Sequence, residues 1–104
     1  MPSLDLLFLH KLREDFNTYS IFIETGTYHG KTINNMEPYF DTLYTIELSE
    51  YFYNLTKAKY NGNKITFLQG NSSIVLSELL VTINKPCMFF FRWSLFITWN
   101  CQRK

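Results

Sequence analysis

The chain has 104 residues, enough for one domain or part of one, and 46% of them are hydrophobic, so a packed core is expected and disorder is excluded. The formal net charge is +1, with no basic run beyond Arg103-Lys104, which excludes the footprint of a nucleic-acid binder. Charges begin at Asp5, and the most apolar stretch, residues 86–99, is interrupted by Arg92 and falls short of the ~20 apolar residues of a bilayer span. Neither a leader nor a membrane segment is expected.

Leu4, Leu7, Phe8, Leu12 and Phe16 recur at helical spacing between charged residues, which predicts an amphipathic helix over residues 1–18. Residues 19–24 form the first predicted strand, and a helix follows from residue 30 to 37, which Pro38 ends or turns shortly after. A second strand over residues 43–47 ends on an acid. Ser49 is the predicted N-cap of a helix reaching about Tyr60, with Phe52, Leu55 and Lys59 along one side. Asn61-Gly62-Asn63 is a turn, and residues 65–68 form a third strand. Gly70, Asn71, Ser72 and Ser73 break that strand and cap a helix whose Ile74, Val75, Leu76, Leu79 and Leu80 are expected to be buried. Lys85-Pro86 resets the chain before a fourth strand over residues 87–91. Strand and helix alternate at spacings that suit right-handed βαβ crossovers and a parallel sheet, so the fold class is α/β. Cys87 and Cys101 have no zinc-ligand spacing, and His10 and His29 have no partners at a metal spacing; no metal site is expected. Both cysteines are expected to stay reduced in a cytoplasmic protein.

The candidate site is the turn after the first strand, Glu24-Thr25-Gly26-Thr27-Tyr28-His29-Gly30-Lys31-Thr32. In open α/β sheets ligands bind beyond the carboxyl ends of the strands. The segment approximates a P-loop but has three residues between its glycines where four are needed to wrap a phosphate. An acid at position 24 would also repel a phosphate. Glu47, about 20 residues past the glycine turn, stands where a ribose-binding carboxylate is expected. An acid closing the first strand suits a ligand that carries positive charge, and S-adenosylmethionine has a sulfonium and an amine. An empty α/β domain whose glycines serve only as turn residues is the structural alternative.

The residues Phe-Ile-Glu-Thr-Gly-Thr-Tyr-His-Gly-Lys-Thr, then Leu-Tyr-Thr-Ile-Glu-Leu-Ser-Glu, then Phe-Leu-Gln-Gly-Asn-Ser-Ser resemble the class I S-adenosylmethionine-dependent methyltransferases across residues 19–91. The resemblance implies a partial Rossmann-like sheet, an N-terminal helix plus about four strands with intervening helices. It implies Glu24 near the cofactor's amino-acid end, a loop of Gly26, Thr27, Tyr28 and Gly30 beneath it, Glu47 on the ribose hydroxyls, and Asn71 and Ser72 by the adenine. The family usually has Asp where Asn71 stands.

After the fourth strand the family presents a Leu-Asp-Gly-His-Tyr-Ser type of segment, whereas this chain continues Arg92-Trp93-Ser94-Leu95-Phe96-Ile97. Loss of one T from a codon run TTT TTT TTT AGA TGG TCA TTA TTC ATC would restore Phe-Phe-Leu-Asp-Gly-His-Tyr-Ser-Ser, so residues 92–104 are expected to be an out-of-frame apolar tail. A domain truncated there would be inactive, with the fourth strand as an exposed edge open to self-association; the alternative is that the tail folds back over that strand as a strand or short helix. The function expected is the S-adenosylmethionine-binding half of a methyltransferase, with catalytic residues and methyl acceptor unknown. A non-catalytic remnant or interaction module and a P-loop-like nucleotide binder are the alternatives.

Overall fold

A computed structural model describes residues 19–91, and the backbone alone of the strand over 94–100; the predicted N-terminal helix and Arg92 lie outside the described residues. The elements run β1 (Ile21–Thr25), α1 (Lys31–Met36), a 3₁₀ turn (Glu37–Tyr39), β2 (Thr42–Glu47), α2 (Glu50–Lys59), β3 (Ile65–Gln69), α3 (Ser72–Val81), β4 (Pro86–Phe91) and β5 (Ser94–Asn100). The sheet order is β3-β2-β1-β4-β5, with β1 to β4 parallel and β5 antiparallel to β4. This is the α/β, Rossmann-like partial sheet expected.

The side-chain period of two sorts the strand residues onto two faces. Phe22, Leu43, Ile65, Phe67 and Met88 pack with Ile33, Met36 and Phe40 beneath α1 and α2. Ile21, Ile23, Cys87 and Phe89 face the other way, against Ile83 and the half-buried Leu76, Leu79 and Leu80 of α3. Because β1 and β4 are covered on both faces, they read as continuous apolar runs and not as alternating ones. The chain steps outward from β1 to β3, then returns across β1 to β4. Right-handed crossovers therefore put α1 and α2 on one face and α3 on the other. The reversal beside β1 opens a crevice at the carboxyl ends of the strands.

Local chemistry sets the helix ends. Ser49 Oγ accepts the Phe52 N–H at 3.3 Å and caps α2, as expected. Asn71 Oδ1 accepts the Ser73 N–H at 2.9 Å and caps α3. The hydroxyl of Tyr60 donates to Glu37 Oε2 at 2.7 Å and accepts the N–H groups of Lys64 and Ile65 at 2.9 and 3.1 Å. It thereby ties the end of α2 and the start of β3 to the 3₁₀ turn. Gly62 is glycine for the same reason, since a Cβ there would come within 2.5 Å of that hydroxyl.

Several expectations are corrected. The helix before Pro38 ends at Met36, one residue earlier than expected, and Pro38 turns the chain just after it, in the first positions of the 3₁₀ turn, where its missing N–H is not needed. Lys59 is exposed, and the inward side of α2 is built from Tyr53, Thr56 and Tyr60 with Phe52. No residue of α3 is fully buried, and Ile74 is 60% exposed, because α3 lies on its face of the sheet with no helical neighbour among the described residues. β4 is not an exposed edge; the folded-back alternative is the one observed, with β5 pairing along it from Ser94 to Asn100. Cys87 is buried and disulfide-bonded, where a reduced thiol was expected; Cys101, the chain's other cysteine, lies outside the described residues.

Candidate functional site

The loop after β1 is bound into the ends of its neighbours by main-chain hydrogen bonds. Gly26 N–H donates to the Ile46 carbonyl at 2.7 Å, and, at the end of β3, Gly70 N–H likewise ties that strand to β2 by donating to the Glu47 carbonyl at 2.9 Å. Within the loop, Gly30 N–H closes a turn onto the Thr27 carbonyl at 2.8 Å. Gly26 and Gly30 both have φ of 83°, and Tyr28 between them has φ of 54°. Glycine enters this region without penalty, whereas an L-residue such as tyrosine gives up about 1 kcal/mol or more. At Gly30 a Cβ would also crowd Asn34 Nδ2 at 3.1 Å and Thr56 Cγ2 at 3.3 Å.

What Tyr28 gains from its conformation is an acceptor. Its N–H donates to Glu47 Oε1 at 2.7 Å, while Glu47 Oε2 accepts the Ser49 N–H at 2.9 Å. Glu47 is thus held from two sides by the backbone, with 9% of its surface exposed at the end of β2. The Tyr28 ring lies 4.7 Å from that of Phe52 and 4.2 Å from that of His29, and it is 43% exposed.

Glu24 is buried at the end of β1, directly opposite Thr45 of β2 in the register. Thr45 Oγ1 donates to Glu24 Oε2 at 2.6 Å and lies 2.6 Å from Thr27 Oγ1. A hydroxyl carries one proton, so with Thr45 donating to Glu24, the Thr27 hydroxyl must donate to Thr45. The chain of donors runs Thr27 to Thr45 to Glu24, entirely inside the protein.

Six of the predicted residues, Glu24, Gly26, Thr27, Tyr28, Gly30 and Glu47, therefore gather at the carboxyl ends of β1 and β2. Asn71 and Ser72 follow Gly70 at the end of β3, both exposed, with Asn71 Oδ1 engaged in capping α3. Three residues of this edge were not singled out from sequence. Thr45 becomes visible only once the register sets it opposite Glu24. Ser49 was read as a cap alone, but its N–H also holds Glu47. Leu48, beside that acid, is a large aliphatic side chain left 68% exposed.

The loop does not behave as a P-loop. The N–H groups of Gly26, Tyr28 and Gly30 are committed to Ile46, Glu47 and Thr27, so they are not turned outward to wrap a phosphate. Lys31 is exposed at the start of a six-residue helix. A polar groove of about 310 Å³ lies between α1 and α2, lined by residues including His29 of the loop, Asn34, Glu37, Thr56 and Tyr60; none of the residues predicted to contact the cofactor lines it. Among the described residues no cluster of side chains suits a metal ion, and no helix is long and apolar enough to cross a membrane.

A parallel sheet ordered 3-2-1-4, with acids near the ends of its first two strands, places the chain in the Rossmann-like α/β class. Among solved structures it is similar to a Staphylococcus aureus protein described as a "putative caffeoyl-CoA O-methyltransferase", with a TM-score of 0.58 and 21% identity over 76% of this chain. That likeness is one of fold, and the chain spans 42% of that protein's length. No family model and no curated protein matches the sequence.

Proposed function

We propose that this chain is the S-adenosylmethionine-binding part of a methyltransferase-type protein. The observation that carries the proposal is the pair of acids on adjacent strand ends, each held by donors from its own surroundings. Glu24 is 1% exposed and accepts a hydrogen bond from the Thr45 hydroxyl. A buried carboxylate at a crevice favours a cationic ligand group, here the amine end of the cofactor. Glu47 is fixed by two backbone N–H groups, and a carboxylate has capacity for further donors, so ribose hydroxyls can add to the set. Leu48 offers apolar surface to the adenine, with Asn71 and Ser72 nearby on the end of β3.

When bound, the cofactor supplies an electrophilic methyl group on a sulfonium. The part of this chain is to bind and orient: Gly26, Thr27, Tyr28 and Gly30 shape the floor, and the acids set the ligand's two ends. Methyl transfer of this kind depends mainly on holding acceptor and methyl in line, so no base is assigned. Because the chain spans less than half of its structural neighbour, we assign transfer itself to a longer protein and expect this chain to bind without turnover. The exposed Ile74 and Val81 of α3 favour a second reading as an interaction module, in which the same fold binds no cofactor.

Thermal unfolding with added S-adenosylhomocysteine, and separately with Mg·ATP, tests the proposal. A rise in melting temperature with the S-adenosyl ligand alone is expected. A rise with Mg·ATP alone would move the assignment to a nucleotide binder, and no rise with either would favour the interaction module.

A further inference from the structure

We infer that Thr45 is a positioning residue for the amino-acid end of an S-adenosyl ligand, acting through Glu24, and that Thr27 is in turn the donor that orients Thr45. The inference rests on the cofactor reading above and adds to it a residue pair buried behind the loop.

Its basis is the direction of the donor chain. Thr45 is fully buried and Thr27 is 5% exposed, so neither hydroxyl is placed to exchange partners freely with bulk water. The single proton of Thr45 goes to Glu24 Oε2 at 2.6 Å, and its lone pair receives the proton of Thr27 at 2.6 Å. Each bond polarises the next, so the pair acts as one donor stronger than an isolated hydroxyl. With Oε2 tethered to β2 in this way, rotation of the Glu24 carboxylate is restricted. A carboxyl group restricted in this way offers a cationic ammonium group a prepared partner and spares the ligand the cost of ordering it. Glu47, proposed for the adenosine side, is held instead by the N–H groups of Tyr28 and Ser49. The two acids thus have separate supports, and the supports can be altered one at a time.

A threonine pair that merely satisfied a buried carboxylate would affect folding, and through it any ligand equally. Calorimetric titration of the full chain with S-adenosylhomocysteine and with 5′-methylthioadenosine, which has the adenosine and thioether but no amino-acid group, separates the two roles. Thr45→Val should weaken S-adenosylhomocysteine about tenfold, the scale of one hydrogen bond to a charged group, while leaving 5′-methylthioadenosine unchanged. Thr45→Ser should restore the lost affinity. Should Thr45→Val not fold, Thr45→Ala, which also removes the hydroxyl, carries the same test. Equal losses for both ligands, or none, would overturn this inference and leave the cofactor reading intact. An unaltered chain that binds neither ligand would overturn the cofactor reading, and this inference with it.

Discussion

Replacing Glu47 with glutamine probes the site at its most connected side chain. The carboxylate accepts the Tyr28 N–H at 2.7 Å and the Ser49 N–H at 2.9 Å through different oxygens. Glutamine keeps one acceptor and turns an NH₂ toward the other N–H, so one charge-assisted bond is lost and the second becomes neutral. The expected cost is about 1.5–3 kcal/mol, the range for hydrogen bonds to charged groups. A domain of this size has about 5–15 kcal/mol in hand, so Glu47→Gln should remain folded. Glu47→Ala is the poorer test because it strips both N–H groups and releases Tyr28 from the acceptor that offsets its φ of 54°. Urea unfolding followed by circular dichroism should show the lower stability. Titration with S-adenosylhomocysteine should show at least a tenfold loss of affinity, the loss of one charged hydrogen bond to the ribose. Unchanged stability would refute the two-bond geometry at Glu47. Reduced stability with unchanged affinity would refute its assignment to the ribose.

Three further outcomes follow from the packing. Tyr60→Phe removes the acceptor of the Lys64 and Ile65 N–H groups and the donor to Glu37, and should lower unfolding free energy by about 1–3 kcal/mol in urea titration without changing ligand affinity. Gly30→Ala forces a Cβ into φ of 83° against Asn34 and Thr56, and should cost about 1–3 kcal/mol, read as a lower melting temperature. Lys31→Ala should alter neither stability nor S-adenosylhomocysteine binding, since Lys31 is exposed; loss of binding by calorimetry would revive the phosphate-loop alternative.

The order of strands and helices was legible because the strand residues carry their own period and the breaks between them carry Gly, Pro or a capping side chain. Ser49 and Asn71 cap the helices they precede, and β1 and β4 are the apolar runs of a doubly covered sheet. The burial of α3 was not legible. Aliphatic residues fill much of that helix, so periodicity does not distinguish a helix sunk in a core from one resting alone on a sheet face. Ile74 and Val81 mark the difference. The run from Leu95 to Trp99 is equally suited to an exposed tail or to a strand, and its antiparallel pairing with β4 depends on the free edge that β4 offers. At the candidate site, the glycines and the two acids announce themselves. Thr45 and Thr27 do not, because a hydroxyl's part is decided by register and by which neighbour takes its proton.

The claim most in need of a direct test is that the carboxyl edge of β1, β2 and β3 holds an S-adenosyl ligand. Two-dimensional amide NMR of the isotopically labelled chain, titrated with S-adenosylhomocysteine, reports on every backbone N–H at once. The account predicts saturable shifts at Gly26, Tyr28, Gly30, Ser49 and Gly70, with Gly62 and Lys64 at the far end of the sheet unmoved. Shifts centred on Gly62 and the groove between α1 and α2, or a folded chain whose amides do not move, would contradict it.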